Sequence, residues 1–186
     1  MKAISNGTGT ILAGLSTLFA MAITLAGCGA AAPPRAKEVV VRSDFREQLH
    51  GAERGEYIFG AMGCFSCHGH GGKGGIENPN YLQDTIPDLD GIAERMMLFD
   101  EEDAEVFIEM LEQGDDLQSA SPPFRTYNRT LAQYDAISKA IQEGRTAGKK
   151  DPDGPQPVNM PTWGEWLTDE EIDADIANLI RMYDWD

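Results

Sequence analysis

Two cysteines three residues apart, Cys64 and Cys67 in "GAMGCFSCHGHGG", constrain this chain more than any other feature. A pair at that spacing can close a disulfide, supply half of a zinc site, or hold a larger group between its sulfurs. The third cysteine, Cys28, ends a long apolar run, and no second pair exists. A structural zinc site takes four ligands, commonly as two pairs, and His70 is too near His68 for an easy tetrahedron. A redox dithiol of thioredoxin type belongs to a strand–helix–strand context, and no such alternation surrounds Cys64. A disulfide-stapled mini-protein would carry more cysteines, and 186 residues can form a core without staples.

The residue directly after the pair decides between the remaining options. His68 makes the motif C-x-x-C-H, the attachment signature of c-type haem. Its chemistry needs these residues in this order. Two thiols add to the two vinyl groups of the porphyrin, and the next side chain turns inward to ligate iron through an imidazole nitrogen.

From about Gly55 onward the chain resembles the class I mono-haem cytochromes c. "GEYIFGAMGCFSCHG" is similar to the family's amino-terminal helix running into its haem motif. The resemblance implies that Gly55 allows a close helix contact and that Phe59 packs on the carboxy-terminal helix. It also implies one covalent haem c on Cys64 and Cys67, with His68 as the first axial ligand. "GHGGKGG" matches the flexible glycine-rich loop of the family. In "IPDLDGI" the resemblance makes Pro87 the residue whose carbonyl accepts a hydrogen bond from the ligand histidine, a bond that fixes the ring and raises its basicity. On turn statistics alone Pro87 is a turn residue. The fold implied is all-α, with about four to five helices around one haem.

For the second axial ligand the resemblance points to Met160, in the proline-bounded "PVNMPTWGEWLTDEEI", with Pro161 holding the backbone and Trp163 near the haem. The alternative is a buried methionine that ligates nothing. Met62 sits beside the haem-bearing turn and cannot easily reach across the ring. Met96, Met97, Met110 and Met182 fall at helix positions, where methionine fills cores. His50, just before the first helix, is the main rival, and His70 reads as a solvated loop residue.

The first 34 residues differ in kind. From Ala3 to Pro34 there is no charged residue, and the apolar run after Lys2 is of export-signal type. It ends in "LAGC", which resembles the lipobox of bacterial lipoproteins, with cleavage before Cys28 and lipid on its sulfur. An uncleaved transmembrane anchor is the competing interpretation. Both hold the body of the protein at a membrane, on the exported side where c-type haem is attached. The expected division is a signal peptide over 1–27, lipidated Cys28 and a tether over 28–50, and the haem domain over 51–186. "EVVV" in the tether could form a short strand.

The remaining segments read as helices and loops. "DEEDAEVFIEMLEQG" is a helix with Val106, Phe107, Met110 and Leu111 apolar and a stop at Gly114. A second runs from Thr130 to a stop at Gly144, with Leu131, Tyr134, Ile137 and Ile141 on one face. The last starts at a capping box of Thr168 and Glu171 and carries Ile172, Ile176, Leu179, Ile180 and Tyr183 on one face. Between the first two, "DDLQSASPPFRTYNR" reads as a surface loop. Its Arg125, Tyr127 and Arg129 could alternatively reach haem propionates. This middle exceeds what the family needs and is a candidate docking surface.

Charge narrows the function. With 31 Asp and Glu against 15 Lys and Arg, the chain has the wrong sign for nucleic acid. Its acidity suits a solvated surface or steering of a basic partner. The expected partners are redox proteins or subunits of a membrane complex, with a lipid anchor to the membrane. His68 and Met160 together leave the iron no vacant position, which suits one-electron transfer rather than substrate chemistry. The permanent tether and the enlarged middle favour a haem subunit of a respiratory or photosynthetic complex, and mono-haem lipoprotein subunits of this type are known in quinol-oxidising alternative complex III. An independent lipid-anchored shuttle is the alternative, and a peroxidase-like or sensor protein would require Met160 to leave.

Overall fold

The computed structural model describes residues 48–95, 97 and 99–185. The expected signal peptide, Cys28, the tether as far as residue 47 and Met96 lie outside them. The chain divides into Met1–Pro34 and Arg35–Asp186, and the described residues all belong to the second unit.

Helices in chain order are α1 (Gly51–Ala61), α2 (Phe65–His68), α3 (Ile92–Arg95), α4 (Glu101–Gln113), α5 (Tyr127–Glu143) and α6 (Asp169–Arg181), with a 3-10 turn at His70–Gly72. Among the described residues there is no strand, only isolated bridges such as Arg145 with Met160. The fold is the all-α one expected, with α2 and α3 as single turns.

Helix α6 is the centre. Thr168 Oγ1 accepts from Glu171 N, and Glu171 Oε2 accepts from Thr168 N at 3.0 Å, closing the capping box. Glu171 Oε1 also accepts from Arg54 on α1 at 3.1 Å. One carboxylate therefore starts α6 and ties it to α1. The apolar face expected of α6 is present, with Ile172, Ile176, Leu179 and Ile180 buried. Burial extends beyond that face, however, to Ala174, Asp175, Ala177 and Asn178. A helix enclosed on this many sides is packed by several elements at once, and α6 meets α1, α3, α4 and α5.

Helix α1 reaches α6 through Gly55. A Cβ there would fall 1.9 Å from the Ala174 carbonyl oxygen and 2.8 Å from Asn178 Cβ. Glycine is required because two helix backbones touch at this point.

The middle of the chain differs from expectation. Helix α5 begins at Tyr127, three residues before the predicted start, and Tyr127 is 1% exposed. Its hydroxyl donates to Leu117 O at 2.9 Å, and Thr130 Oγ1 donates to Met97 O at 2.9 Å. Phe107 lies within 6.5 Å, centroid to centroid, of Phe99, Phe124, Tyr127 and Tyr134. Such tilted aromatic pairs add to the area they bury. The segment before α5 thus supplies core rather than a surface loop alone. On α4 the buried face is Ala104, Phe107, Ile108 and Leu111, while Val106 faces solvent.

Replacing Gly55 with Ala should destabilise the fold by about 2–3 kcal/mol, the cost of overpacking against an immobile neighbour. Urea unfolding with an unchanged m-value would measure it.

Candidate functional site

Helix α1 is capped at Met62, and Gly63 (φ 77°) turns the chain so that α2 starts at once. Cys64 N donates to Phe59 O at 3.0 Å, so the second turn is fixed to the first. Cys64 and Cys67 stand on this turn with both sulfurs unpaired and both side chains half-buried. Cys64 is held as a thiol. Burial pushes it up to about 12, aided by the nearby Asp175 carboxylate and by Cys67.

The glycine-rich loop after His68 is tied down by backbone bonds. Gly74 N donates to His68 O at 2.7 Å, and Leu89 N and Asp90 N both donate to Gly72 O. Gly74, at φ 64°, packs so closely that a Cβ would lie 2.9 Å from Asp88 N. This closure brings residues 87–90 alongside α2. His68 Nδ1 lies 2.9 Å from Pro87 O. A carbonyl only accepts, so the bond requires Nδ1 to carry the proton, and the Nε2 lone pair is then free to ligate a metal.

Met160 sits in a loop that is fixed along its length. Arg145 N donates to Met160 O at 3.1 Å, and Met160 N donates to Arg145 O at 2.9 Å. Trp163 N donates to Ile141 O. Two asparagines then staple this loop to the one that follows the cysteine motif. Asn78, 2% exposed, donates to Val158 O at 3.0 Å and accepts from Val158 N at 2.7 Å. Asn80 Nδ2 donates to Asp151 O and Pro155 O, while its Oδ1 accepts from Asp151 N. Met160 and Trp163 are half-buried, and both pack on the core that Cys64 and Phe65 also touch.

Other candidates lie elsewhere. His50 is exposed at the start of α1, and His70 is exposed with its ring stacked on Phe65 at 5.1 Å. Met97 is fully buried, and Met182 caps α6 beside Gly72. Arg125 and Arg129 are exposed. Tyr127 is committed to the core through Leu117, which removes it from any propionate contact. Among the described residues no three His, Cys, Asp or Glu gather as a metal site.

These residues fit a haem. Two unpaired sulfurs share one turn, an imidazole turned by Nδ1 to the Pro87 carbonyl leaves Nε2 for a metal, and Met62, Phe65, Leu89, Met160 and Trp163 offer half-buried apolar surface. The cytochrome c family model matches residues 52–138. The chain carries a cytochrome c domain. The matched region holds Cys64, Cys67, His68 and Pro87 and ends before Met160 and α6. No curated protein and no solved structure is significantly similar to the chain. A cytochrome c domain implies covalently bound haem c, a haem electron-transfer role and redox partners.

Sequence reasoning missed two features. The Asn78 and Asn80 staples are loop carboxamides whose partners lie some 70 to 80 residues away, and no local pattern announces them. Asp175 reads as a polar position of an amphipathic helix, yet it is 4% exposed. Replacing Asn78 with Ala leaves the Val158 amide and carbonyl without partners and should cost about 2–4 kcal/mol. Urea unfolding would measure the loss, and faster amide exchange at Val158 would locate it.

Proposed function

We propose that this chain is a membrane-tethered mono-haem c-type cytochrome, working as the haem subunit of a membrane-bound respiratory or photosynthetic electron-transfer complex on the exported side of a bacterial membrane. Cys64 and Cys67 hold the haem, His68 and Met160 ligate its iron, and Pro87 orients His68. Cys28 carries the lipid.

The observation that carries the site is the His68 Nδ1 to Pro87 O bond at 2.9 Å, beside two unpaired thiols. It fixes the ring and its tautomer before any metal is considered. When bound, the haem supplies one-electron exchange. The protein's part is to keep the coordination closed and the surroundings dry. Met160 serves this through a loop pinned by Arg145, Asn78 and Asn80, so its thioether is held without a flexible approach. With Met160 and His68 holding the haem iron, the thioether would favour the reduced state and raise the potential. Ile58, Phe59 and the apolar side chains of α6 exclude water and act in the same direction.

The acidic surface supports a basic partner. On α4, Glu101, Glu102, Glu105, Glu109 and Glu112 are all exposed. A surface of one sign speeds encounter with the opposite sign and weakens as salt screens it. Membership of a complex such as a quinol-oxidising alternative complex III draws on the tether: a lipid anchor of two or more chains holds a subunit permanently in the plane of its partners.

Met160→Ala is expected to open the iron: the reduced variant should bind one carbon monoxide per haem at neutral pH, and the unaltered protein none. Carbon monoxide binding by both would remove Met160 from the ligand set. Cys28→Ser should release the domain from membranes on fractionation. Detergent extraction followed by sizing should show the unaltered protein in a large assembly; a lone species the size of one processed chain would make it a free carrier.

A further inference from the structure

Helix α6 buries a carboxylate that none of the roles above uses. Asp175 is 4% exposed, and its Oδ1 has no hydrogen-bond partner. One turn further, the Asn178 Nδ2 is also unpartnered. An ionised carboxylate in such a place is costly without a compensating positive charge. Asp175 shares a face of α6 with Asn178, which meets Gly55 of α1, and with Met182, which meets Gly72 in the loop after His68, so it lies on the side of α6 turned towards the elements that carry the cysteine motif.

Among the charged groups on the packed elements, Arg54 of α1 gives its terminal nitrogens to Glu170 and Glu171 and keeps a buried Nε without a partner; the half-buried Tyr57 stands one turn on. From α2 come Cys64, Cys67 and His68, the last bonded to Pro87. On α3, Glu94 accepts from Tyr183, and on α4, Glu112 accepts from Arg181 and from Ala52 N. On α5, Tyr134 donates to Asp173 at 2.5 Å. Burial alone lifts Asp175, with no cation to offset it, to about 7.

We propose that Asp175 couples a proton to the electron: its carboxyl gains a proton when the site is reduced and releases it when the site is oxidised. The step rests on the haem placement proposed above. One electron from the redox donor and one proton from solvent enter together, and an O–H bond forms on the Asp175 carboxyl. Both leave on reoxidation, and that bond breaks. The oxidised site carries one more positive charge, which favours the carboxylate; the reduced site lacks it, and the neutral acid returns. Because the raised carboxyl titrates near neutrality, the exchange falls in the working pH range.

The linkage has a definite sign. Asp175 binds its proton more tightly folded than unfolded, so its burial costs nothing below the ordinary carboxylate range near pH 4, a cost that grows as pH rises to about 7 and then stays level. Asp175→Asn should therefore be more stable than the unaltered protein above neutrality and lose that advantage in acid.

The test is a spectroelectrochemical titration of the holoprotein between about pH 5 and pH 9, spanning the raised carboxylate range. The midpoint potential of the unaltered protein should fall as pH rises through neutrality. Asp175→Asn should flatten the curve, Asp175→Glu should keep it, and Asp173→Asn should leave it unchanged. A flat curve in the unaltered protein overturns the inference. So does an Asp175→Asn curve as steep as the original, which would assign the proton to another group such as the haem propionates. Redox-difference infrared spectra of the unaltered and Asp173→Asn proteins decide the matter if Asp175→Asn fails to fold. Reduction should bring up a protonated-carboxyl band that moves when the protein is made with carbon-labelled aspartate, and a band that ignores the label, or no band, overturns it. A chain without covalent haem would sink the haem placement, and this proposal with it, whereas a haem-bearing chain with a pH-independent potential sinks this proposal alone.

Discussion

The contact between the Gly55 backbone and the Ala174 carbonyl sets the position of everything else. No side chain fits between the helices there: a Cβ would stand 1.9 Å from the oxygen. Helix α1 runs from that contact into Gly63 and the turn bearing Cys64, Cys67 and His68. Helix α6 runs from it past Asp175 to Ile180. The cofactor attachment and the helix that backs it are thus related through a point where two backbones meet, which transmits position more rigidly than a pair of flexible side chains would.

Beyond the helices, order in this domain comes from backbone groups and carboxamides in place of a sheet. The loop after the cysteine motif and the loop around Met160 have few apolar residues to bury, and Leu82 and Val158 are exposed. Hydrophobic burial therefore cannot fix their register. Asn78 and Asn80 do so instead, each offering a donor and an acceptor to a backbone that would otherwise need water. Pro87 and Met160 occupy the two loops so fastened. Their placement is a consequence of polar pairing, while the placement of His68 follows from helix packing.

That division explains what the sequence made legible. Helices α4, α5 and α6 announce themselves through caps and apolar spacing, because amphipathic periodicity and capping act locally. The capping box at Thr168 and Glu171 was readable for that reason. The start of α5 at Tyr127 was not, since it depends on Phe107 and Leu117 receiving the ring and hydroxyl of Tyr127. Motif spacing shows the thiols and the imidazole, and the family resemblance supplied Pro87. Nothing local marks the asparagine staples, which act across the chain. Asp175 was hidden for a related reason: its burial depends on how many neighbours enclose α6, and periodicity along one helix does not reveal that number.

The two buried acids of α6 sharpen the distinction. Glu171 and Asp175 lie one turn apart, at 6% and 4% exposure. Glu171 has the Thr168 amide on one oxygen and Arg54 on the other, so its charge is balanced and its lone pairs are occupied. Its role is accounted for by the start of α6 and the α1 contact. Asp175 has no balancing charge and its Oδ1 has no partner, and a valine or leucine at that position would bury apolar surface without the penalty. Helical structure cannot explain its presence, because aspartate is a poor helix former away from the first turn. Packing cannot explain it either, because an unpartnered carboxylate oxygen weakens a core. What remains is the neighbouring charge. On the proposed haem placement, the carboxylate would be favoured while the site is oxidised and disfavoured once it is reduced, so the group that the fold leaves unsatisfied is one the redox state would satisfy.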